Sequence, residues 1–358
     1  MLWAAGRAYY YRGGEKIAIA HGGGFYEDVD LEILTEIRDI EPVNLDEVLE
    51  KNIDKIHFYT HDSMNFIRST VEKYKDKVDI VTVSFSGGKD SVVVADLVKR
   101  TLNSTNFVVI FADTQLESKM TYDFVDQFHH ENPKIQVLKA RLGRDQTELW
   151  GGKLGPPSRI NRWCHTVYKT APIRKTIKEY LGGQEKPTVL LIDGIRAEES
   201  ARRSKYDNIQ FGTKEMLQIN VSPILEWSSL EVFLYMFLRK LSFNQMYRWG
   251  GYSRVGCIIC PYSSSWGGEY LSRRLFEEDV EPYLTIIKQN VESSHIPDIN
   301  NYISEGGRWK SRSGGLDLDY GGNRAEFIVD DGNLTIITDR DSPNFWTWLK
   351  NIGTYSQA

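Results

Sequence analysis

The stretch that decides the fold is DIVTVSFSGGKDSVVVADLVKRTL, residues 79–102. Its first seven residues form an apolar run rich in β-branched side chains, as in a strand buried on both faces. A loop with two glycines and a lysine follows, and residues 92–102 carry apolar side chains at helical spacing. Glycine lets a loop approach an anion closely, and the start of the next helix offers free N–H groups. The stretch therefore predicts a strand, an anion-binding loop and a helix.

The alternation of strand and helix continues on both sides of this stretch. Three more apolar runs predict strands at residues 107–112, 135–138 and 189–192, and three amphipathic segments predict helices at residues 45–74, 118–129 and 170–181. Strands that alternate with helices of this kind form a parallel sheet covered on both faces. The predicted fold class is therefore α/β with a parallel-sheet core.

The chain divides into three predicted parts. Residues 1–42 contain glycine turns between short alternating runs, which predicts a small β-hairpin appendage. Residues 43–249 form the predicted α/β domain. Residues 250–358 are rich in glycine, serine, tryptophan and arginine, which predicts an irregular C-terminal region with a CxxC metal loop and a hairpin between Asn323 and Thr338.

The composition excludes several classes of protein. The chain has 358 residues, of which 41% are hydrophobic, and it carries 44 basic against 49 acidic residues. This balance excludes a globally basic nucleic-acid binder, although it leaves room for a local basic patch. No apolar run reaches the roughly 20 residues that a membrane helix needs. Residues 1–7 lack the apolar run of a secretory signal, and three cysteines are too few for a disulfide scaffold, so a cytoplasmic protein is expected.

The loop after the first strand of the core resembles the SGGxDS loop of the PP-loop ATP pyrophosphatases, which cleave ATP between its α and β phosphates. It is not a Walker A loop, which needs four residues between its first glycine and Gly-Lys. The resemblance implies an adenine nucleotide alpha hydrolase-like core that binds ATP and Mg²⁺. Its nucleotide-binding residues would be Ser84, Phe85, Ser86, Gly87, Gly88, Lys89, Asp90 and Ser91. Hydroxyl groups and Lys89 would bind the departing pyrophosphate, and Asp90 would hold Mg²⁺ or cap the helix.

Four more segments resemble the phosphoadenosine phosphosulfate (PAPS) reductase branch of this superfamily, in the same order along the chain. They are Asp113-Thr114-Gln115-Leu116-Glu117, Arg162-Trp163-Cys164 with Lys169 and Pro172, Gly194 to Arg203, and Pro223 to Val232. The resemblance adds Asp113, Thr114, Gly194, Arg196 and Arg203 to the nucleotide-binding residues. It also makes Lys89, Asp90 and Arg196 the catalytic residues, since Lys89, Arg196 and a Mg²⁺ ion held by Asp90 would stabilise developing phosphate charge. A helix cap near Asp113 and a solvated charged turn near Arg196 are the structural alternatives.

The three cysteines are Cys164, Cys257 and Cys260, the last two in a CxxC motif followed by proline. Two thiolates at this spacing can bind one metal centre, although a redox pair has the same pattern. Related enzymes carry ligand cysteines in the motif that contains Cys164, so the resemblance implies a [4Fe–4S] cluster on three thiolates. One iron would then be open to hold a sulfur atom. A zinc ion, with His165 or another histidine as fourth ligand, and unligated thiols are the alternatives.

Two features separate the chain from the PAPS reductases that it resembles. Those enzymes attack the sulfonucleotide with a C-terminal cysteine, whereas no cysteine follows Cys260 here. Their loop resembles a degraded version of the pyrophosphatase loop, whereas this loop is intact, which favours ATP. A PP-loop enzyme with cluster cysteines resembles the sulfur-incorporating component of bacterial DNA phosphorothioation systems.

This resemblance implies a reaction in two stages. ATP would adenylate an acceptor phosphate with release of pyrophosphate, and sulfur from a cysteine desulfurase would then displace AMP. The alternatives are tRNA thiolation, PAPS or APS reduction, sulfate activation by an adenylyltransferase subunit, and a module that senses a nucleotide without turnover.

The expected acceptor is nucleic acid, DNA before tRNA, and the other expected partners are further phosphorothioation components. A homodimer is left open. Basic residues near aromatic rings suit phosphate contact and base stacking. The candidates are Arg202, Arg203, Lys205, Arg248, Arg254, Arg273, Arg274, Arg308, Lys310 and Arg312, interleaved with Trp249, Trp266 and Trp309. Solvated surface charge is the alternative interpretation of these clusters.

Overall fold

A computed structural model describes residues 2–5, 9–12, 14–36, 44–152, 154–159, 161–212, 217–248, 252–263, 266–293, 299–304, 308–310, 325–330 and 333–338. These residues contain a six-stranded central sheet, a four-stranded N-terminal sheet and a two-stranded hairpin. Helices pack on both faces of the central sheet, where two separate apolar clusters form. The predicted α/β fold is thereby confirmed.

The N-terminal sheet is antiparallel, and the central sheet is mostly parallel. The N-terminal strands are β1 (Leu2–Ala5), β2 (Tyr9–Arg12), β3 (Glu15–Gly22) and β4 (Val29–Ile33). The central strands are β5 (Ile80–Phe85), β6 (Val108–Asp113), β7 (Gln136–Arg141), β8 (Val189–Ile192), β9 (Ile209–Phe211) and β10 (Gln218–Val221). Sequence analysis predicted β5 to β8 to within about three residues but missed β9 and β10, which are too short to show a period of two.

The order of strands in the central sheet is β7-β6-β5-β8-β10-β9. All neighbouring strands are parallel except β9, which runs antiparallel to β10. The chain therefore moves outward from β5 to β6 and β7, and returns to the other side of β5 to form β8. The strand order reverses between β5 and β8, which is the point where open α/β sheets form a ligand crevice.

The helices are α1 (Leu45–Tyr74), α2 (Lys89–Thr101), α3 (Lys119–Glu131), α4 (Gln146–Gly151), α5 (Trp163–His165), α6 (Ala171–Tyr180), α7 (Ser229–Leu238), α8 (Trp266–Leu275), α9 (Glu277–Ser293) and α10 (Ile299–Ser304). The predicted bounds of α1 are confirmed at both ends. Its start is fixed by Asn44, whose side chain accepts hydrogen bonds from the N–H groups of Asp46 and Glu47 at 3.1 and 3.3 Å. None of the described helices is long and apolar enough to cross a membrane.

A third apolar cluster, away from the two on the central sheet, joins the N-terminal sheet region to the C-terminal helices. The Phe25 and Trp309 rings lie 6.4 Å apart, and the Tyr26 hydroxyl donates to the Leu284 carbonyl at 2.8 Å. The structure thus adds three helices, α8, α9 and α10, to the region that the sequence predicted to be irregular. Apolar residues at helical spacing on α9 are buried in this core. Strands β11 (Ala325–Asp330) and β12 (Asn333–Thr338) form an antiparallel pair within the span predicted for a hairpin.

Helix α7 begins with a reciprocal cap that makes stability depend on pH. The Ser228 backbone N–H donates to Glu231 at 2.7 Å, and the Lys55 ammonium donates to the other carboxylate oxygen at 2.6 Å. Burial alone raises the pKa of Glu231, but the hydrogen bonds from Lys55 and Ser228 outweigh it and lower the pKa from 4.5 to about 2. A group with a lowered pKa stabilises the fold above its unfolded pKa, and this contribution is lost as the pH falls through its folded pKa.

We therefore expect Glu231→Gln to lower the free energy of unfolding by about 2 kcal/mol at pH 7. The difference from wild type should shrink as the pH falls from 4.5 toward 2. Urea unfolding at pH values spanning this range checks the prediction, with the exposed Glu226→Gln as the control. An equal loss of stability at every pH would show that the carboxylate charge contributes nothing.

Candidate active site

The loops after β5 and β8 meet at the carboxyl edge of the sheet, where the strand order reverses. Gly194, in the loop after β8, allows this close contact, since a Cβ at that position would lie 2.9 Å from the backbone carbonyl carbon of Asp90. Only glycine fits such an approach without a shift of the backbone. The predicted residues of both loops therefore line one crevice.

The loop after β5 is folded by its own serine side chains. The Ser91 hydroxyl accepts from the Ser86 N–H at 3.2 Å and donates to the Gly88 carbonyl at 2.8 Å, and the Ser86 hydroxyl accepts from the Gly88 N–H at 3.3 Å. Gly87 has a φ of +71°, a left-handed conformation that favours glycine. The Phe85 side chain is buried in the core, with its ring 4.3 Å from that of Phe128, so only its backbone is available to a ligand.

The three predicted catalytic residues form one chain of charges. The Asp90 carboxylate accepts from the Lys89 ammonium at 3.0 Å and from the Arg196 Nε–H at 2.6 Å. Arg196 also donates to Glu198 at 2.6 Å and to the Ser229 hydroxyl at 3.1 Å. Burial alone lowers the pKa of Arg196, but the neighbouring carboxylates outweigh it and raise the pKa. Because both oxygens of Asp90 already contact cations, Asp90 positions Lys89 and Arg196 in this state, and its role toward Mg²⁺ stays a prediction.

The loop after β6 is strained and polar. Gln115 has a φ of +62°, which is uncommon for a residue with a Cβ. The Asp113 carboxylate accepts from the Gln115 N–H and from the Tyr122 hydroxyl, each at 2.9 Å. Thr114 donates its hydroxyl to the Glu117 carboxylate at 2.8 Å. Such strain is kept where the surrounding structure fixes it, and it is common at functional sites.

The CxxC loop packs directly on this strained loop. The Cys257 sulfur lies 3.5 Å from the Thr114 hydroxyl and 4.0 Å from the Glu117 carboxylate, and the Ile258 N–H donates to the Leu116 carbonyl at 2.7 Å. Burial raises the pKa of Cys257 to about 12, and it also raises the pKa of Glu117. The nucleotide edge of the sheet and the cysteine loop are therefore parts of one continuous site.

All three cysteines act electrostatically on one lysine, Lys169. A π-helical turn, Thr166–Thr170, joins α5 to α6 and carries Lys169. Negative charge at Cys257 is the main cause that raises the pKa of Lys169, and Cys260 and Cys164 act in the same direction. The Cys164 thiol has its own pKa raised by burial and by Cys260. Among the described residues, no three side chains of His, Cys, Asp or Glu lie close enough together to hold a single metal ion.

The cysteine loop is held by two basic residues. Arg159 donates its Nε–H to the Pro261 carbonyl at 2.8 Å, and the Lys310 ammonium donates to the Ser263 carbonyl at 3.2 Å. Lys310 is buried and forms an ion pair with the buried Glu269 at 2.5 Å. Lys310 was predicted to contact nucleic acid, and this prediction is wrong, because a buried and paired ammonium cannot meet a phosphate backbone.

Other residues predicted to contact nucleic acid are bound to residues of the chain itself. Trp309 is buried against Phe25 and cannot stack on a base, while Arg273 and Arg274 both contact Asp28, at 3.0 and 3.1 Å. Arg203, a predicted nucleotide contact, pairs with Glu199. The exposed basic candidates are Arg202, Lys205, Arg248, Arg254 and Arg274. Trp249 and Arg312 lie outside the described residues, as do the side chains of Trp266 and Arg308.

Four residues of the site were not assigned a role from the sequence. Glu117 and Lys169 were quoted within the matching motifs, so the signal for them was present. Asn244 donates to the Gly87 carbonyl at 3.3 Å, and Tyr247 accepts from the Lys89 N–H at 3.0 Å. These two residues follow α7 without any recognisable motif, and only the fold places them on the loop after β5.

The fold is an α/β core with a crevice at the carboxyl edge of a mostly parallel sheet and a cysteine loop beside it. The chain belongs to the phosphoadenosine phosphosulfate reductase domain family, whose model matches residues 80–263. The resemblance to the PAPS reductase branch is thereby confirmed.

Three relatives show how far the sequence similarity of this chain extends. An uncharacterized protein of Methanocaldococcus jannaschii is 31% identical over 74% of this chain and 61% of its own length. A second uncharacterized protein of the same organism is 32% identical, and this chain covers 53% of it. An adenosine 5'-phosphosulfate reductase of Halalkalibacterium halodurans is 25% identical over 60% of this chain and 88% of that enzyme. The chain thus spans about half to three fifths of the first two relatives.

One solved structure with a similar fold is a tRNA thiolase of Methanococcus maripaludis with its [4Fe–4S] cluster. It is 18% identical, covers 72% of this chain and 82% of that chain, and has a TM-score of 0.37.

Proposed function

We propose that this chain is an ATP pyrophosphatase that adenylates a nucleic-acid acceptor so that sulfur can be inserted, as in DNA phosphorothioation. The observation that carries the proposal is the position of the intact loop after β5. Its serines fold it at the point where the strand order reverses, and it places Lys89 beside Asp90 and Arg196. Such a loop suits an anion with several phosphates, since amides, hydroxyls and cations converge on it.

The residues of the chain would act on the phosphates as follows. An acceptor oxygen attacks the α-phosphorus of ATP, and the bond to the bridging oxygen of pyrophosphate breaks. Loop N–H groups and Lys89 take the charge that develops on the departing pyrophosphate. Arg196, buried and fixed by Asp90 and Glu198, presents a rigid donor near the α-phosphate. Sulfur at the oxidation level of sulfide then displaces AMP from the adenylated acceptor.

We assign the three cysteines to a [4Fe–4S] cluster, with a single zinc ion as the alternative. The three thiols act electrostatically on one lysine. A cluster binds its thiolate ligands through several metal atoms. Cys164, Cys257 and Cys260 would hold it, and Lys169 would balance the negative charge of the thiolates. Bound there, a cluster supplies an iron without a protein ligand, to which sulfur can bind.

The nucleic-acid acceptor would bind to exposed basic side chains beside the crevice. Arg202, Lys205, Arg248 and Arg254 are exposed, and Arg254 lies 4.0 Å from Glu199 in the loop after β8. These side chains flank the crevice and suit a phosphate backbone. A cysteine desulfurase would supply the sulfur as a persulfide, which a thiol reductant would reduce by two electrons to sulfide before the transfer. Other phosphorothioation components would bring the DNA, and tRNA is the alternative acceptor.

A sulfonucleotide reductase is the second candidate function. It is favoured by the identity to an adenosine 5'-phosphosulfate reductase, which extends over 88% of that enzyme. Reduction of a sulfonucleotide needs a nucleophilic thiol, and all three cysteines of this chain lie in the cysteine site. A reductase would therefore have to take its thiol from another protein.

A direct comparison of nucleotides tests the proposal. Incubated with Mg²⁺ and double-stranded DNA, the protein should release pyrophosphate from ATP and form no sulfite from adenosine 5'-phosphosulfate supplied with a thiol reductant. We expect Ser86→Ala to slow pyrophosphate release by about 10- to 100-fold, because one hydroxyl donor to a charged group is lost. The control is Ser204→Ala, an exposed serine. Sulfite without pyrophosphate would establish the reductase instead.

A further inference from the structure

Tyr247 places its hydroxyl oxygen on the loop after β5, residues 86–91, which we call the nucleotide loop. It lies on a short 3-10 turn, Gln245–Arg248, and its oxygen accepts from the Lys89 backbone N–H at 3.0 Å. A Cβ on Gly88 would lie 3.3 Å from the same oxygen, so the hydroxyl sits directly over the glycine pair. The Tyr247 ring packs edge-on against Phe233 at 5.9 Å, which fixes its orientation.

The segment that carries Tyr247 is anchored to the loop. Asn244 is buried, and its amide donates to the Gly87 carbonyl at 3.3 Å and to the Thr121 hydroxyl at 3.2 Å. The hydrogen bonds of Asn244 therefore hold the backbone of the segment that carries Tyr247 against the loop.

The Lys89 N–H belongs to the first turn of α2, where backbone N–H groups have no partner within the helix. A bound phosphate oxygen would accept from such a group. The Tyr247 oxygen holds that position here, and the Val255 backbone also hydrogen bonds to it. Burial raises the pKa of Tyr247 to about 12, so the group is neutral at physiological pH.

We propose that Tyr247 is a specificity-determining plug, whose hydroxyl oxygen substitutes for an anion oxygen on the nucleotide loop and must be displaced by the pyrophosphate group of a ligand. This inference rests on the proposed function only for the choice of pyrophosphate as the natural ligand. A weak anion does not displace the hydroxyl, whereas a diphosphate that also engages Lys89 and the serines does.

The plug also connects the nucleotide loop to the cysteine loop. Residues 252–256 lie between Tyr247 and Cys257, and we call them the strap. The Lys89 ammonium donates to the Ser253 carbonyl at 3.5 Å, and Val255 contacts the Tyr247 hydroxyl. A diphosphate that takes both Lys89 and the Lys89 N–H removes both contacts, so the strap loosens when the anion binds.

The test is calorimetric titration of the full chain with inorganic pyrophosphate. Tyr247→Phe keeps the ring and removes only the oxygen, so it should bind pyrophosphate about three- to tenfold more tightly than wild type, because the loop no longer has to release an internal partner. The matched control is Tyr26→Phe, which removes a hydroxyl that donates to the Leu284 carbonyl at 2.8 Å, outside the loop and the strap, and should leave the affinity unchanged. Equal or weaker binding by Tyr247→Phe, or no binding by either protein, overturns the plug.

A second measurement uses the wild-type protein and so does not depend on the folding of a variant. Hydrogen–deuterium exchange should slow in residues 86–91 and quicken in residues 252–256 when pyrophosphate binds. Slower exchange in both segments would show that Tyr247 stays in place, which contradicts the proposal. Neither measurement requires ATP turnover, so failure of the ATP pyrophosphatase function and failure of the plug are separate results.

Discussion

Lys89→Met should reduce the rate of pyrophosphate release from ATP by about 10²- to 10³-fold. The Lys89 side chain is buried, with its ammonium 3.0 Å from Asp90 and about 6 Å from the ring centres of Phe233 and Tyr247. The Lys89 ammonium is the positive charge that this loop can offer to a departing pyrophosphate without a movement of the backbone. Methionine keeps an unbranched stem between the same rings, so the substitution removes the charge and little of the packing.

The folded state should tolerate this change. Asp90 keeps its hydrogen bond to Arg196 at 2.6 Å, so no buried carboxylate is left without a cation. Single-turnover assays of pyrophosphate release, with melting temperatures for both proteins, check the prediction. Lys99→Met is the matched control, since Lys99 lies on the same helix but is exposed. An active Lys89→Met protein would mean that the loop amides alone bind the leaving group.

The second large effect concerns the cysteine loop. Cys257→Ser should remove iron and acid-labile sulfide from protein purified without oxygen, from about four of each per chain to a small residue. Cys257 contacts the strained loop after β6 and acts electrostatically on Lys169, and its loss would leave only two thiolates for the proposed cluster. Sulfur transfer should be lost with the cluster, whereas binding of ATP to the loop after β5 should remain.

Tyr262→Phe is the control for this experiment, because Tyr262 lies in the same loop and its exposed hydroxyl donates only to the Arg159 carbonyl among the contacts described. It should keep both iron and sulfide. Zinc without sulfide in the wild-type protein would replace the cluster with a zinc site, and an unchanged iron content in Cys257→Ser would remove Cys257 from the ligands.

The basic patch shows where sequence reasoning about this site failed. Arg308-Trp309-Lys310 has the composition of a nucleic-acid contact, with two cations around an aromatic ring. In the structure Lys310 pairs with Glu269, which lies 41 residues earlier, and Trp309 packs on Phe25. Neither partner is near in sequence. Composition alone therefore could not distinguish buried, paired side chains from an exposed basic patch.

The sequence by itself determined the elements whose causes are local. The strand, glycine loop and helix of residues 79–102, the helix of residues 45–74, and the motifs that contain Asp113, Cys164 and Arg196 are all recognisable within short windows. Local spacing and capping depend on neighbours in the chain, which is why these predictions and the family resemblance agree with the structure.

Only the tertiary structure decided how these pieces meet. It placed the CxxC loop on the loop after β6, Arg196 on Asp90, and Tyr247 on the Lys89 N–H, each across more than 100 residues. Short strands such as β9 belong here too, because their burial comes from neighbouring strands. Contacts of this kind follow from the strand order and from the packing of distant segments, neither of which leaves a periodic signal in the sequence.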